Sequence, residues 1–361
     1  MPYFTEKFGN ASSVNHVYGW EAYDAVEAAR GQVASLVKAS PREVIFTSGA
    51  TEANNLALKG VMRASRPGSH LITAAAEHRA VLDPARRLQR DGYQVTILSV
   101  DEYGRVDPDE VAAAIRPNTV LVSIMLANNE VGTINPIGEI GRVCRSRQVT
   151  LHCDAAQAAG RIPVDLQSLP VDLLSLSAHK LYGPKGIGAL VVRKTAARTR
   201  IEPLLDGGGH ENRLRSGTLP VPLVVGFGRA CELAASALPD EAARLARLRD
   251  RLWTGLAAQL EGIRMNGHPT HRLPGNLNVS FEGVHGDALM ARLKGVAVSS
   301  GSACTTAEPE PSHVLRAMGL RETLSRASVR FGLGRWNTEQ EVDLVVAEVT
   351  EAVRTLRQVT L

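Results

Sequence analysis

The chain has 361 residues, 44% of them hydrophobic, which is enough to bury a sizeable core and, by length, to divide into two domains. Its net charge of +4 rests on arginines spread along the chain and seldom interleaved with aromatics, which make up 4%, so nucleic acid is not an expected partner. No apolar run approaches the ~20 residues of a bilayer span, the opening MPYFTEKFGN lacks a secretory pattern, and the four cysteines contain no C-x-x-C pair; a cytoplasmic protein with reduced thiols and no membrane partner is expected.

From residue 43 onward, short β-rich runs alternate with amphipathic helical patterns. The runs are 43–47 (EVIFT), 70–74 (HLITA), 94–98 (QVTIL), 119–125 (TVLVSIM), 149–153 (VTLHC), 171–177 (VDLLSLS) and 187–192 (IGALVV). That alternation predicts an α/β fold with a mainly parallel sheet covered on both faces. One helix start is well marked at 107–115, where Asp107 can cap, Pro108 takes the first helical position and Glu110 completes a capping box. After residue 220 an Ala- and Leu-rich helical stretch runs to about 262, with Pro239-Asp240 as an expected break and cap. Beyond it, NLNVSFEG and ASVRFGLG read as strands of a smaller α+β unit that ends in the helix EQEVDLVVAEVTEAVRTLRQ. The expected division is a large domain over 1–240 and a small one over 241–361.

In an open parallel sheet, ligands collect outside the carboxyl ends of the strands, so polar residues there carry the functional signal. The first run leads into SGATEANN, a small-residue loop opening a helix, where Gly49, Ala50 and Thr51 could cradle an anion; a plain tight turn would look the same. The second leads to Glu77 and His78, and an isolated histidine there reads equally as a solvated helix terminus. The fourth leads to Asn128, Asn129 and Glu130 in a turn-rich loop, where asparagine is ordinary. The fifth ends at Asp154, followed by Gln157; a carboxylate at the end of a buried strand needs a partner, or serves only as a helix cap.

The sixth run ends in Ser177, Ala178, His179 and Lys180. Lysine is scarce here, with Lys7, Lys38, Lys59, Lys180, Lys185, Lys194 and Lys294 the only examples. One set at the end of an interior strand implies a depressed pKa or a covalent bond, as for amines that form Schiff bases. Lys185, in the GPKG turn, reads as a solvated loop charge. An anion cradle, an acid, a histidine and a lysine at the ends of different strands of one sheet form the set that pyridoxal phosphate needs. Cys304 lies in SSGSACTTAEPEP, with no apolar periodicity, and reads as a thiol on an exposed loop, either a nucleophile or a chance surface cysteine. Cys144, Cys153 and Cys231 fall in apolar patterns and read as inert core thiols.

Taken together, FTSGATEANNLALKG, EHRAVLD, NNEVGTINPI, HCDAAQAAGRIPVD, SAHKLYGPKGIGAL, GGGHENRLRSGTLP and SSGSACTT resemble, in order and spacing, the cysteine desulfurases of the class V aminotransferase group. The resemblance runs from about FGNASSVNHVYG to the C-terminal helix. It implies a fold-type-I pyridoxal-phosphate-dependent transferase with a seven-stranded large domain. It further implies that Lys180 bears the cofactor, Asp154 pairs with its pyridine nitrogen, and His78 stacks on the ring and shuttles protons. Ala50, Thr51, Ser177 and His179 match phosphate-binding positions, and Gln157 the contact to the ring hydroxyl. Thr218 matches a residue that reaches the phosphate in the partner subunit, which implies a homodimer with shared sites. Asn129 and Arg330 match the positions that hold the substrate carboxylate, a task that suits a guanidinium fork.

The implied reaction takes sulfur from L-cysteine, releases L-alanine and leaves a persulfide on Cys304 for an iron–sulfur scaffold or another sulfur acceptor. A selenocysteine lyase or another class V aminotransferase is the neighbouring alternative. The resemblance also implies a stretch like LDNAATT ahead of the first helix, which this sequence does not contain. A dimeric scaffold without catalysis is therefore the alternative of a different class.

Overall fold

The structure is a computed structural model that describes residues 1–194, 199–300 and 311–359. It divides into two compact units. Unit 1 comprises Met1–Leu98, Asp107–Leu126 and Asn135–Leu238, and unit 2 comprises Ser99–Val106, Ala127–Ile134 and Pro239–Leu361. A single cut at 240 does not describe this division, because two short stretches of the N-terminal half belong to unit 2.

Unit 1 opens with α1 (Val17–Leu36), followed by β1 (Val44–Thr47), α2 (Ala50–Arg63), β2 (His70–Ala74), α3 (Arg79–Arg90), β3 (Gln94–Leu98), α4 (Pro108–Ala114), β4 (Thr119–Ser123), α5 (Ile137–Ser146), β5 (Thr150–Asp154), β6 (Leu173–Ser177) and β7 (Gly188–Val192). The strands form one seven-stranded sheet in the order β1-β7-β6-β5-β4-β2-β3. Neighbours from β6 to β3 are parallel, whereas β7 runs antiparallel to both β1 and β6. Strands β2, β5 and β6 are buried along nearly their whole length because both faces of the sheet are covered. On one face, Leu56, Leu58 and Met62 of α2 and Val81 and Leu88 of α3 pack with Ile45, Leu71, Leu121, Leu173 and Leu190 of the strands. Burying each such side chain contributes ~1.5–3 kcal/mol, so this layer fixes where α2 begins relative to the strand ends. The expected cap of α4 is present, with Asp107 Oδ1 accepting from the Asp109 N–H at 2.8 Å.

The next helix, α6 (Val221–Gln259), corrects an expectation: it runs unbroken for 39 residues with Pro239 inside it. A proline there removes the N–H that would reach the carbonyl of residue 235. Buried Val224, Phe227, Cys231 and Ala234 before it, and Leu245, Leu248, Leu252 and Leu256 after it, hold the flanking turns in their respective cores and outweigh that loss. The first half of α6 is also long and apolar enough to cross a membrane by length and composition, contrary to the expectation that no run comes near that length. In that stretch 39% of the residues are buried, Val224, Phe227, Cys231 and Ala234 among them.

Unit 2 continues through β8 (Ile263–Asn266), β9 (Asn276–Phe281), α7 (Gly286–Arg292), β10 (Ser299–Ser300), α8 (His313–Ala317), α9 (Glu322–Arg326), β11 (Ser328–Gly332) and α10 (Glu339–Val359). Its four strands are antiparallel in the order β10-β11-β9-β8. Leu277, Val279 and Phe281 of β9 pack with Val329 and Phe331 of β11, Leu252 and Leu256 of α6, and Val349 and Val353 of α10.

Candidate functional site

At the end of β1 the chain turns through Ser48 and Gly49 into α2. Gly49 is the N-cap, at φ 154°, and no side chain caps the helix. A Cβ on Gly49 would meet nothing within 4 Å, whereas one on Gly188 would lie 2.7 Å from the Gly49 Cα, so glycine at 188 lets the turn lie against β7. The first-turn N–H groups at Ala50 and Thr51 are thus presented without a protein cap, the arrangement that binds anions. Glu52, in the same turn, accepts from the Ser48 N–H at 2.7 Å and from Arg215 Nε at 2.9 Å. Burial works to raise its pKa, and the hydrogen bonds from Arg215 and Ser48 outweigh that and hold it below the usual carboxylate range.

Asp154 is the last residue of β5 and is buried. Its Oδ2 accepts from Asn54 Nδ2 at 2.7 Å and its Oδ1 from the Ala156 N–H at 2.9 Å, and among the described residues it forms no ion pair. Asn54 is fully buried on α2 and was not singled out from the sequence; the signal that could have found it is an amide set between Ala53, Leu56 and Ala57 on the apolar face. Glu77 is a second buried carboxyl that sequence reasoning left without a role. Its Oε1 accepts from the Met125 N–H at 2.6 Å. Burial pushes its pKa well above the usual range, the Met125 bond opposes this, and the charge of Asp154 adds to it.

Gln157 is half-buried in the turn that follows Asp154. Strand β6, parallel to β5 and paired with it through Asp154 and Ser175, ends at Ser177. A one-turn 3-10 segment, Ala178–Leu181, then carries Lys180, half-buried, with Tyr182 closing the turn in the left-handed region. Ser177 Oγ lies 2.9 Å from His179 Nδ1, and burial, followed by the charges of Lys180 and Lys185, lowers the His179 pKa. Lys185 is exposed in its turn. His78 is exposed and caps α3, its Nδ1 accepting from the Ala80 N–H at 3.1 Å, which leaves the ring proton of the neutral form on Nε2. The structure thus places His78 at an exposed helix terminus.

Thr218 is exposed in the segment before α6. That segment is tied down by Glu211, at φ 49°, whose carboxylate accepts from both Arg30 Nη atoms at 2.7 and 2.9 Å and from the Phe46 N–H at 2.6 Å. Ala50, Thr51, His78, Asp154, Gln157, Ser177, His179, Lys180 and Thr218 all belong to unit 1.

Asn129 and Arg330 belong to unit 2, and there they meet. Arg330 Nη1 donates to the Asn129 carbonyl at 2.8 Å. The loop is shaped by Asn128, whose Oδ1 accepts from the Glu130 and Val131 N–H groups at 2.8 and 3.0 Å, and by Asn276 and Asn278, which donate to the Glu130 carbonyl. The Asn129 Oδ1 is buried and has no hydrogen-bond partner among the described residues. An unmatched buried amide atom costs free energy unless a ligand or water meets it.

Cys304 lies outside the described residues. The other three cysteines are free and buried. Burial raises the Cys144 thiol to about 12 and pushes those of Cys153 and Cys231 up as well, which makes them poor nucleophiles.

Residues 1–345 match the model of the class-V aminotransferase family. A cysteine desulfurase IscS from Anaeromyxobacter sp. (strain Fw109-5) is 56% identical over 359 residues, covering 99% of this chain and 89% of that protein. A solved structure titled "NIFS-LIKE PROTEIN" superposes with a TM-score of 0.91 at 38% identity, covering 98% of this chain and 94% of that one. A second, titled "SspA in complex with cysteine", gives a TM-score of 0.81 at 37% identity over 93% of this chain and 94% of that one. The chain belongs to the class-V aminotransferase family, within its cysteine desulfurase group.

Proposed function

We propose that this protein uses pyridoxal phosphate to take sulfur from L-cysteine, releasing L-alanine and leaving a persulfide on Cys304 for transfer to an iron–sulfur scaffold or another acceptor. The observation that carries this reading is buried Asp154, oriented by Asn54 at the end of one strand, with Lys180 following the end of the adjacent parallel strand. The class-V aminotransferase family works with pyridoxal phosphate, and the residues here fit that group. An uncapped helix N-terminus suits its phosphate, and a buried carboxylate without a protein cation suits its pyridine nitrogen. When bound, the cofactor supplies an aldehyde for an amine and a ring that takes up the charge left by a departing α-proton.

In this reading the N–H groups of Ala50 and Thr51, with Ser177, His179 and a Thr218 from the partner subunit, hold the phosphate, and Gln157 meets the ring hydroxyl. Lys180 provides the amine. His78 stacks on the ring and carries protons. Arg330 and Asn129 hold the substrate carboxylate, and the Arg330 Nη1 hydrogen bond to the Asn129 carbonyl, which sets the two residues side by side, supports that assignment. The Cys304 thiolate then takes the substrate sulfur, so that one thiol and one cysteine become one persulfide and one alanine. Burial of the other three cysteines leaves Cys304 for this step. A cytoplasmic setting belongs to the proposal and is consistent with those three free thiols.

The test is mass spectrometry of the protein digested after exposure to L-cysteine. The peptide carrying Cys304 gains the mass of one sulfur in the parent and in Lys185→Ala, and none in Lys180→Ala. A reversed pattern overturns the lysine assignment. A protein that is colourless after addition of pyridoxal phosphate and removal of the unbound cofactor overturns the enzyme reading in favour of a silent scaffold.

A further inference from the structure

Arg161 has no part in the reaction proposed above, yet it is built against the turn that carries Lys180. Its Nη1 donates to the Tyr182 hydroxyl at 2.8 Å and its Nη2 to the Lys180 carbonyl at 3.3 Å, and its guanidinium carbon lies 4.6 Å from the centre of the Tyr182 ring. The turn is under local strain. Tyr182 sits at φ 63°, a left-handed conformation that a bulky side chain adopts only when its surroundings impose it. The N–H groups of Tyr182 and Gly183 both return to the Ala178 carbonyl, so the chain reverses within one turn. The residue before Arg161 is fitted to the same turn: Gly160 is at φ 69°, and a Cβ there would lie 2.5 Å from Leu181 Cδ2. The segment leaving Asp154 is therefore in close contact with the segment leaving β6, with Arg161 at the contact.

We infer that Arg161 is a positioning residue for Lys180. Its planar fork grips the Lys180 carbonyl, the Tyr182 hydroxyl and the Tyr182 ring at once, and so fixes the strained turn that sets the direction in which the amine leaves the end of β6. A lysine at 161 would keep the charge but lacks the planar fork that can serve both oxygens and stack on the ring. The inference rests on the reading of Lys180 as the cofactor-bearing amine.

Two measurements on the cofactor-free protein test it. One is hydrogen exchange of the peptide covering residues 178–184; the other is the rate at which added pyridoxal phosphate becomes borohydride-fixed to the protein. Arg161→Met is expected to exchange that peptide about tenfold faster and to slow fixation about tenfold, the scale of one lost charge-assisted hydrogen bond. Arg161→Lys should show most of this loss with an unchanged melting temperature, which separates positioning from general stability. Tyr182→Phe, which keeps the ring, should show a smaller effect. An Arg161→Met protein within twofold of the parent in both measurements overturns the inference and leaves the Lys180 reading intact. Should that variant not fold, Arg161→Lys carries the test under the same criterion. If Lys180→Ala still fixes the cofactor, the reading of Lys180 falls, and the inference with it.

Discussion

Asp154 is aimed by two donors, one on each oxygen: the Asn54 amide on Oδ2 and the Ala156 N–H on Oδ1. Replacing Asn54 with leucine keeps the branched shape and leaves one buried carboxylate oxygen without its donor, at a cost of ~1–3 kcal/mol. Urea unfolding of Asn54→Leu should register that loss. Sulfide release from L-cysteine should fall by roughly 10–100-fold, because the carboxyl is then free to turn away from its proposed partner. Activity equal to the parent would show that Asn54 does not orient Asp154. Asp154 and Lys180 were legible in the sequence because one ends a strand run and the other follows closely on the end of one, where a charge is conspicuous. Asn54 and Arg161 were not, since a polar residue in a helix or turn is unremarkable until packing reveals which side chain it meets.

At the level of elements, two histidines stitch the sheet. His152 of β5 lies with Nδ1 2.8 Å from Ser123 Oγ of β4 and Nε2 2.9 Å from Ser175 Oγ of β6. His70 of β2 makes the corresponding pair with Thr119 and Thr96, both at 2.8 Å. Burial holds the His152 pKa down to about 3, against an ordinary value of 6.5. The unfolded chain thus takes up a proton below 6.5 that the folded chain refuses until about 3. The stability from neutral His152 is complete above pH 6.5 and is lost as pH falls through that window, by up to ~1.4 kcal/mol per unit. Between pH 6.5 and 5, the unfolding free energy should drop by roughly 2 kcal/mol more in the parent than in His152→Gln. Equal slopes for the two proteins would refute the assignment. Helix α6 shows a different balance: Pro239 predicts a stop from local chemistry, and apolar contacts on either side carry the helix through it.

Across the whole molecule, the N-terminal part leaves large apolar side chains in contact with solvent. Val17, Trp20 and Tyr23 recur at a spacing of three on α1, each more than half exposed, with Phe8 and Val14 before them exposed at 77% and 74%. Such a stripe has the chemistry of an interaction surface, and the shared site proposed through Thr218 makes a second copy of the chain its proposed occupant. Sedimentation should give twice the chain mass for the parent. The double variant Trp20→Glu/Tyr23→Glu should move towards the monomer and lose activity through loss of the partner's Thr218. A parent that sediments as a monomer would remove the shared-site proposal.

The sequence by itself determined the identity of the seven strands of unit 1 and their succession along the chain, strands β9 and β11 of unit 2, and the polar residues waiting at strand ends. These follow from local patterning, the period of apolar residues and the chemistry of turns. The tertiary structure alone decided that β7 lies reversed between β1 and β6, that residues 99–106 and 127–134 join unit 2, and that α6 ignores its proline. It also decided the long-range pairs, Asn54 with Asp154 and Arg30 with Glu211, which are 100 and 181 residues apart. The physical reason is that ladder hydrogen bonds and buried polar contacts depend on which segments the whole chain brings side by side, and no local window of sequence contains both partners.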